Sequence, residues 1–382
     1  MRYFMIATLS LIQISACFAR QSENFLIRDV RIYQPTGFLE QQDVLVEGGY
    51  IRKIGEKIGS EYPVIDGKGH TLLPGLVNAH VHAWLPYHLY NAAWNGVLPV
   101  QDMHSTNELA TSMRALRNET GLADYYGSGF AATVAGGHGT QFGYEVPVIE
   151  SDQSCYDFID QQVAAGADHI KIIYEPAMST LTLPQVDSLI SRTHFHGKKA
   201  VVHISKADNA MEVIRLGADG LVHLWRDRPL TDEEMEELVE SGAFVIPTTT
   251  VIERVIDLFR LRKIKRKIFT RQEMLAELKR TYDAGVLLLT GTDPPNFGLD
   301  YGESLHHELA LFVEAGISVE STLECATTIP LKVYGYQVRA IEEGNPASFF
   351  LVEGNPQVNI TDTERIKMRW KRGALIEQSN EF

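Results

Sequence analysis

Two histidines one residue apart, His80 and His82, are the first side chains that could do chemistry. They sit at the end of an apolar run, Leu76–Val81. Side chains alternate along a strand, so both imidazoles leave the same face and can converge on one metal ion. Such a pair is common by chance and carries little weight alone. Four residues further along the chain change that. Lys171 lies in His169–Ile173, among Ile170, Ile172 and Ile173. An ammonium in an apolar strand demands a strong partner. His203 ends the run Ala200–His203, His223 ends Gly220–His223, and Asp293 follows Leu287–Gly291. Any one of the six could be a satisfied buried polar group. Six such residues at corresponding strand ends point instead to a divalent-metal site, and imidazole with carboxylate suits Zn2+, with Mn2+, Co2+ or Fe2+ able to replace it.

The elements that must position these residues are legible in the spacing. Eight strand-length apolar runs alternate with helical stretches: Leu76–Val81, Val97–Gln101, Gly129–Val134, His169–Ile173, Ala200–His203, Gly220–His223, Phe244–Thr248 and Leu287–Gly291. Ser105-Thr106-Asn107-Glu108 and Thr231-Asp232-Glu233-Glu234 read as capping boxes. Gly166, Gly197, Gly217, Gly242 and Gly285 read as helix stops. The strands are apolar throughout, as in a parallel sheet covered by helices. Eight strand–helix units predict an α/β fold, a closed (β/α)8 TIM barrel over 74–337, with functional residues at the C-terminal strand ends. An open doubly wound sheet would carry a Gly-rich phosphate loop after its first strand, and none follows Val81. Residues 24–73 and 338–382 read as short strands and turns, with Gly48-Gly49 as one hairpin turn. They predict one small β-sandwich built from both chain ends.

The remaining features bound the class. The chain has 382 residues, enough for a barrel and a smaller unit, and 45% hydrophobic with 22% charged residues is ordinary for a globular protein. A net charge of -14 speaks against a nucleic-acid partner. Arg2 followed by the apolar Tyr3–Phe18 segment predicts an export signal over 1–19, too short to span a bilayer. Ile14-Ser15-Ala16-Cys17 allows lipidation of Cys17, and Cys17-Phe18-Ala19 allows cleavage after Ala19. The expectation is an exported protein, periplasmic or membrane-anchored through a lipid on Cys17. Cys155 and Cys325 are expected as buried thiols. A homo-oligomer is left open.

The chain resembles the amidohydrolase superfamily, in its imidazolonepropionase-like and Xaa-Pro dipeptidase-like branch. The resemblance is carried by Leu73-Pro74-Gly75-Leu76-Val77-Asn78-Ala79-His80-Val81-His82, Gly166-Ala167-Asp168-His169-Ile170-Lys171-Ile172, Val201-Val202-His203, Leu221-Val222-His223 and Thr290-Gly291-Thr292-Asp293. It implies two divalent ions. His80, His82 and Asp293 would hold the more buried ion, and His203 and His223 the more exposed one. Lys171 would bridge them as a CO2-derived carbamate; burial lowers a lysine pKa, so its neutral amine can attack CO2. The implied reaction is attack of a metal-bridging hydroxide on a carbonyl, with Asp293 as general acid/base.

The resemblance also brings Gly136-Gly137-His138-Gly139, where His138 would bind a substrate carboxylate or carbonyl oxygen. Tyr174, three residues after Lys171, is expected at the pocket mouth as a catalytic or rim residue. Trp84, Tyr87, His88, Trp94 and His104 would line the pocket or pack beneath it, and His306 reads as structural. Gly344-Asn345-Pro346-Ala347-Ser348 departs from the branch's usual turn. Arg262–Lys267 reads as a solvated basic face. The implied activity is hydrolysis of a carbon–nitrogen bond in a linear or cyclic amide, such as a dipeptide or N-acyl amino acid. A lactone or phosphotriester could use the same metals. Deaminases of the superfamily lack the lysine and place a Glu soon after the fifth-strand His, where this chain has Ile204-Ser205-Lys206.

Overall fold

The computed structural model describes residues 24–265, 267–337 and 339–379. The expected export signal, with Cys17, lies outside the described residues. Both chain ends join in one eight-stranded sheet. β1 (Phe25–Gln34), β2 (Gly37–Glu47), β3 (Tyr50–Gly55), β4 (Val64–Asp66) and β5 (His70–Pro74) come first. The barrel strands follow: β6 (Leu76–Val81), β7 (Val97–Asp102), β8 (Asp124–Gly127), β9 (Ile170–Ile173), β10 (Ala200–His203), β11 (Gly220–Val222), β12 (Phe244–Ile246) and β13 (Leu287–Leu288). The chain then returns to the first sheet through β14 (Phe349–Glu353), β15 (Ile366–Lys371) and β16 (Ala374–Leu375). The sheet order β16-β15-β14-β5-β1-β2-β3, with β4 on β1, interleaves the two ends. The sheet folds over its own core as a sandwich, so that Phe25 of β1 stacks on Trp370 of β15 with ring centroids 5.1 Å apart.

The barrel strands run parallel as β6-β7-β8 and as β9 to β13. Two seams close the ring. On one side Ala132 bridges β9, its amide donating to the Lys171 carbonyl at 2.8 Å. On the other, the Ala79 amide donates to the Thr290 carbonyl at 2.8 Å and the Asp293 amide to the His80 carbonyl at 2.8 Å. The third strand corrects the expectation. It runs over Asp124–Gly127, not Gly129–Val134, because Gly127-Ser128-Gly129 breaks the extended chain and leaves only Ala132 in register. The cap before helix Asn107–Ala115 is Thr106 alone, since Ser105 is buried with its hydroxyl 3.2 Å from that of Tyr125. The Thr231–Glu234 capping box forms. All five stop glycines have positive φ, and Gly242 at +69° ends its helix in the left-handed region that only glycine enters without strain. Cys155 and Cys325 are free and buried. No helix among the described residues is long and apolar enough to cross a membrane.

One buried ion cluster joins barrel to sheet. Lys371, on β15 and fully buried, places Nζ 2.7 Å from Asp124 Oδ1 and donates to the carbonyls of Glu119 and Leu122 at 2.7 and 2.6 Å. Arg339 takes the other carboxylate oxygen. Burial alone would raise the Asp124 carboxyl, but the two cations outweigh it and hold it well below the usual carboxylate range. A depressed carboxyl contributes stability above its unfolded pKa, about 4, and loses it as pH falls through the native value. Removing the anion leaves a fully buried lysine and a half-buried arginine without compensation. Asp124→Asn is therefore expected to cost about 3–5 kcal/mol in denaturant-unfolding measurements at neutral pH, and a loss below about 1 kcal/mol would show that the cluster does not hold the two halves together.

Candidate metal centre

Strand alternation delivers most of the site. Along β9, Ile170 and Ile172 pack outward against the helices, while Lys171 and Ile173 line the cavity at the C-terminal mouth of the barrel. Along β10, Val202 faces out and His203 faces in. On β6, Val81 packs outward between His80 and His82, which both line the cavity. β11 breaks the alternation. Leu221 faces out and Val222 faces in, so His223 should face out. A φ of +72° at His223 turns its ring back into the cavity. Asp293 and Thr248 also have positive φ, at +62° and +47°. Each such backbone costs on the order of 1–3 kcal/mol and persists only where the surroundings fix it.

Those surroundings are visible. Asn78 Nδ2 donates to Thr292 Oγ1 at 2.7 Å, and its Oδ1 accepts from the Thr292 amide at 3.1 Å, which ties the Asp293 turn to β6. Asn296 Nδ2 donates to Asp293 Oδ1 at 2.9 Å. Buried Glu308 accepts from the amides of Thr249 and Thr250 at 2.9 and 2.7 Å, anchoring the helix start behind Thr248. Asp102, at the end of β7, accepts from the Ala83 amide at 2.6 Å and from that of His104 at 3.2 Å; burial raises its pKa to about 6.

His80, His82 and Asp293 form a tight trio whose ligand atoms all lie within 4.8 Å of one another. Asp293 Oδ1 is 3.0 Å from His82 Nε2 and 3.3 Å from His80 Nε2. The neighbours of the other ring nitrogens decide which atom faces the cavity. His82 Nδ1 lies 3.4 Å from the His104 carbonyl, which leaves Nε2. His223 Nδ1 lies 2.6 Å from Thr248 Oγ1, which leaves Nε2. His203 is reversed: its Nε2 is 3.7 Å from Glu175 Oε2, which leaves Nδ1. The His203 and His223 rings are 4.7 Å apart, and those of His80 and His223 are 5.2 Å apart, so the pair and the trio border one space.

The electrostatics are those of neutral donors. Burial, followed by the Lys171 charge and the neighbouring imidazoles, holds His80 well below its ordinary pKa. Burial brings His203 down to about 3, and burial followed by His203 and Lys171 brings His223 well down. Burial also lowers Lys171 to about 7, against a smaller pull upward from Asp293. Lys171 Nζ and His80 Nδ1 are buried without a hydrogen-bond partner among the described residues.

The six strand-end residues thus meet in one cavity, and His138 joins them, its ring 4.6 Å from that of His203. Thr133 Oγ1 donates to the His138 carbonyl at 2.7 Å and His104 Nε2 lies 3.0 Å from the Gly139 carbonyl, so the glycine-rich loop is pinned. Tyr174 corrects the expectation. Three residues after Lys171 is the opposite face of a strand, and its hydroxyl donates to Glu212 at 2.9 Å among the outer helices. The residue that faces inward is Glu175, which the sequence did not single out by type or motif; strand parity could have found it. Trp84 packs beside His82, and His88 stacks on Tyr301 at 4.1 Å. Trp94 lies under Arg369, and Tyr87 is exposed. His306 joins Thr363 Oγ1 and the Asn95 carbonyl, each at 3.0 Å, a structural role.

A closed parallel barrel with imidazoles, a carboxylate and an apolar-walled lysine at its C-terminal mouth defines a hydrolase of the metal-dependent barrel type. The amidohydrolase family model matches residues 71–376, and the chain belongs to that family. It is similar to a 5'-deoxyadenosine deaminase of Methanosarcina acetivorans, 24% identical over 364 residues, covering 83% of this chain and 81% of that protein. Its fold is similar to the crystal structure of a Xaa-Pro dipeptidase with methionine in the active site, with TM-score 0.79, 22% identity and coverage of 93% of this chain and 100% of that one. The fold of A. niger ochratoxinase is also similar, with TM-score 0.75, 18% identity and coverage of 93% and 96%.

Two substitutions separate the inward residue from the outward one. Glu175→Gln is expected to weaken zinc binding about 10–100-fold in a chelator competition. Tyr174→Phe should leave zinc affinity unchanged and cost at most about 1.5 kcal/mol of stability. Equal zinc affinity in the two variants would show that Glu175 does not orient His203.

Proposed function

We propose that this protein is a two-metal amidohydrolase that cleaves the carbon–nitrogen bond of a small amide, with a dipeptide or N-acyl amino acid as the substrate class. The observation that carries the reading is Lys171: a buried Nζ without a hydrogen-bond partner among the described residues, beside His80, His203 and His223, which burial keeps neutral. Donors of this kind are incomplete without cations. His80, His82 and Asp293 would hold one divalent ion through Nε2, Nε2 and the carboxylate. His203 through Nδ1 and His223 through Nε2 would hold the second. Zn2+ suits this set. With its pKa lowered to about 7, Lys171 presents a neutral amine that can add CO2 and become a carbamate bridge. When bound, the ions supply a water acidic enough to attack at neutral pH and a Lewis acid for the carbonyl.

The chain's own residues do the rest. Asp293 takes the proton of the attacking water at its carboxylate and passes it to the leaving nitrogen, so that the amine departs neutral. The Asn296 amide and the Asn78–Thr292 bonds hold that carboxylate in place. His138, fixed by its pinned loop, donates to the acyl oxygen. Phe142 walls the cavity beside His82, with Trp84 packed against it, and the pair keeps water from the amide. The deaminase among the relatives supports a second reading, which Lys171 and the Ile204-Ser205-Lys206 stretch after His203 argue against.

The reading predicts about two bound zinc ions per chain, loss of activity on chelation and recovery on adding zinc, followed by elemental analysis and amine release from a dipeptide and N-acyl amino acid panel. Lys171→Ala should retain no more than about a hundredth of wild-type turnover. A zinc-loaded protein inert on every amide, or full activity in Lys171→Ala, would overturn it.

A further inference from the structure

The helix Thr249–Leu261 is surplus to the barrel repeat, because a second helix, Arg271–Asp283, is the one that leads into the eighth strand. It lies beside the mouth. Val251, Ile252 and Val255 line the metal cavity, and Phe259, Lys267 and Ile268 line a second cavity that shares His138 and His203 with it. The helix runs out into Arg260-Leu261-Arg262-Lys263-Ile264-Lys265-Arg266-Lys267. Six of these eight residues are Lys or Arg, and no carboxylate occurs between Asp257 and Glu273. The chain as a whole has 49 acidic residues against 35 basic ones, so the sign of the charge reverses locally. Among the described residues, the one ion pair in the stretch joins Arg260 to Asp257 at 3.1 Å.

The turn is hydrogen-bonded. The Lys263 amide donates to the Arg260 carbonyl at 3.2 Å and the Ile264 amide to the Phe259 carbonyl at 3.0 Å, the paired bonds of a helix end that reverses the chain. Lys263, with φ at +49°, takes the left-handed position that glycine usually fills there. The two apolar residues of the stretch face water: Leu261 is 76% exposed and Ile264 41%. Cations alone would make an ordinary solvated face, and a helix C-terminus favours one or two of them. A leucine and an isoleucine left in water among them need another account.

We propose that this turn docks the protein on the surface of an anionic lipid bilayer. The partner is read from the two features together. Each Lys or Arg near a negatively charged bilayer multiplies the binding constant about five-fold. Leu261 and Ile264 enter the boundary between headgroups and acyl chains, while the cations stay at the headgroups. A nucleic acid offers phosphate to the cations but no apolar layer to the leucine and isoleucine, so it accounts for half of the feature. The acidic remainder of the surface is repelled by the same bilayer, and that repulsion sets the orientation: the turn meets the lipid, and the barrel mouth lies beside it. The attraction acts within a Debye length and is weakened by salt. The proposal is independent of the reaction assigned to the metal centre.

The test is co-sedimentation of the full chain with phosphatidylcholine vesicles, with and without roughly a quarter phosphatidylglycerol. The apolar Tyr3–Phe18 segment is common to every variant, so comparing variants removes its contribution. The wild type is expected to bind the anionic vesicles at least about ten-fold more tightly than the neutral ones, and high salt should erase the difference. The triple substitution Arg262→Gln, Lys263→Gln and Lys265→Gln should weaken anionic binding about 100-fold, three factors of about five. Leu261→Ser with Ile264→Ser should weaken it by about ten-fold or more and leave binding to a DNA duplex unchanged. All five side chains are exposed, so both variants should melt at the wild-type temperature. Wild-type binding that ignores lipid charge, or a triple variant that binds as the wild type does, would overturn the proposal. Vesicle binding that is unchanged by the serine pair, with DNA bound as tightly as vesicles, would assign the cations to an acidic polymer and overturn it as well.

Discussion

The site depends on an amine that has been taken out of water and has no hydrogen-bond partner among the described residues. Lys171 sits on β9 with isoleucines on either side, and burial lowers its pKa to about 7. Around it lie His80, His203 and His223, each held neutral mainly by burial, and the carboxylate of Asp293, which pulls the Lys171 pKa upward less than burial lowers it. Adding protons here would stack positive charges in a dry space, which the desolvation cost forbids. Leaving the groups unprotonated exposes lone pairs to one another. The arrangement is relieved by a cation, and that one electrostatic fact accounts for the mutual approach of rings that would otherwise have no reason to meet.

Holding such donors inward requires backbone that the barrel does not supply by itself. Regular alternation would send His223 outward, and a β-turn of ordinary geometry would not aim Asp293 at His80 and His82. Both residues take positive φ, as does Thr248, whose hydroxyl meets His223 Nδ1. The compensation is remote in sequence. Glu308, on the helix after the eighth strand, satisfies the amides behind Thr248, and Asn78 on β6 satisfies Thr292 beside Asp293. The strained positions therefore lean on buried hydrogen bonds that are worth more in a low dielectric and are costly to leave unmade.

This division explains what a single sequence could show. Seven of the eight barrel strands stand where the apolar runs put them, because a parallel strand buried on both faces is apolar whatever its neighbours are. The third strand did not, because the glycines at 127 and 129 interrupt it and Asp124-Tyr125-Tyr126 does not look like core. The six strand-end side chains were legible as types, and the structure brings them together. Their orientation was not, since the φ of His223 depends on Thr248 and Glu308, far along the chain. Tyr174 and Glu175 show a subtler limit: parity along β9 separates them, yet an aromatic near a lysine is the more conspicuous residue type than a carboxylate beside it. The Lys371–Asp124–Arg339 cluster was invisible for the same reason as Glu308, being a set of long-range partners with no local spacing.

The reactive groups and the groups around them occupy different kinds of chain. Lys171, His203, His80 and His82 are on strands or at their immediate ends, where the barrel's hydrogen bonding fixes them. His138, Phe142, Arg226 and Lys267 are on loops, between elements. A change in a loop leaves strand registers intact, so the shape and charge above the centre can vary while the donors below keep their geometry. In this chain the loops after β10 and β11 are joined by the Arg226–Ser205 backbone bond. The backbone of Arg226, at the border of the reactive space, is therefore set by the scaffold and not by the loop alone.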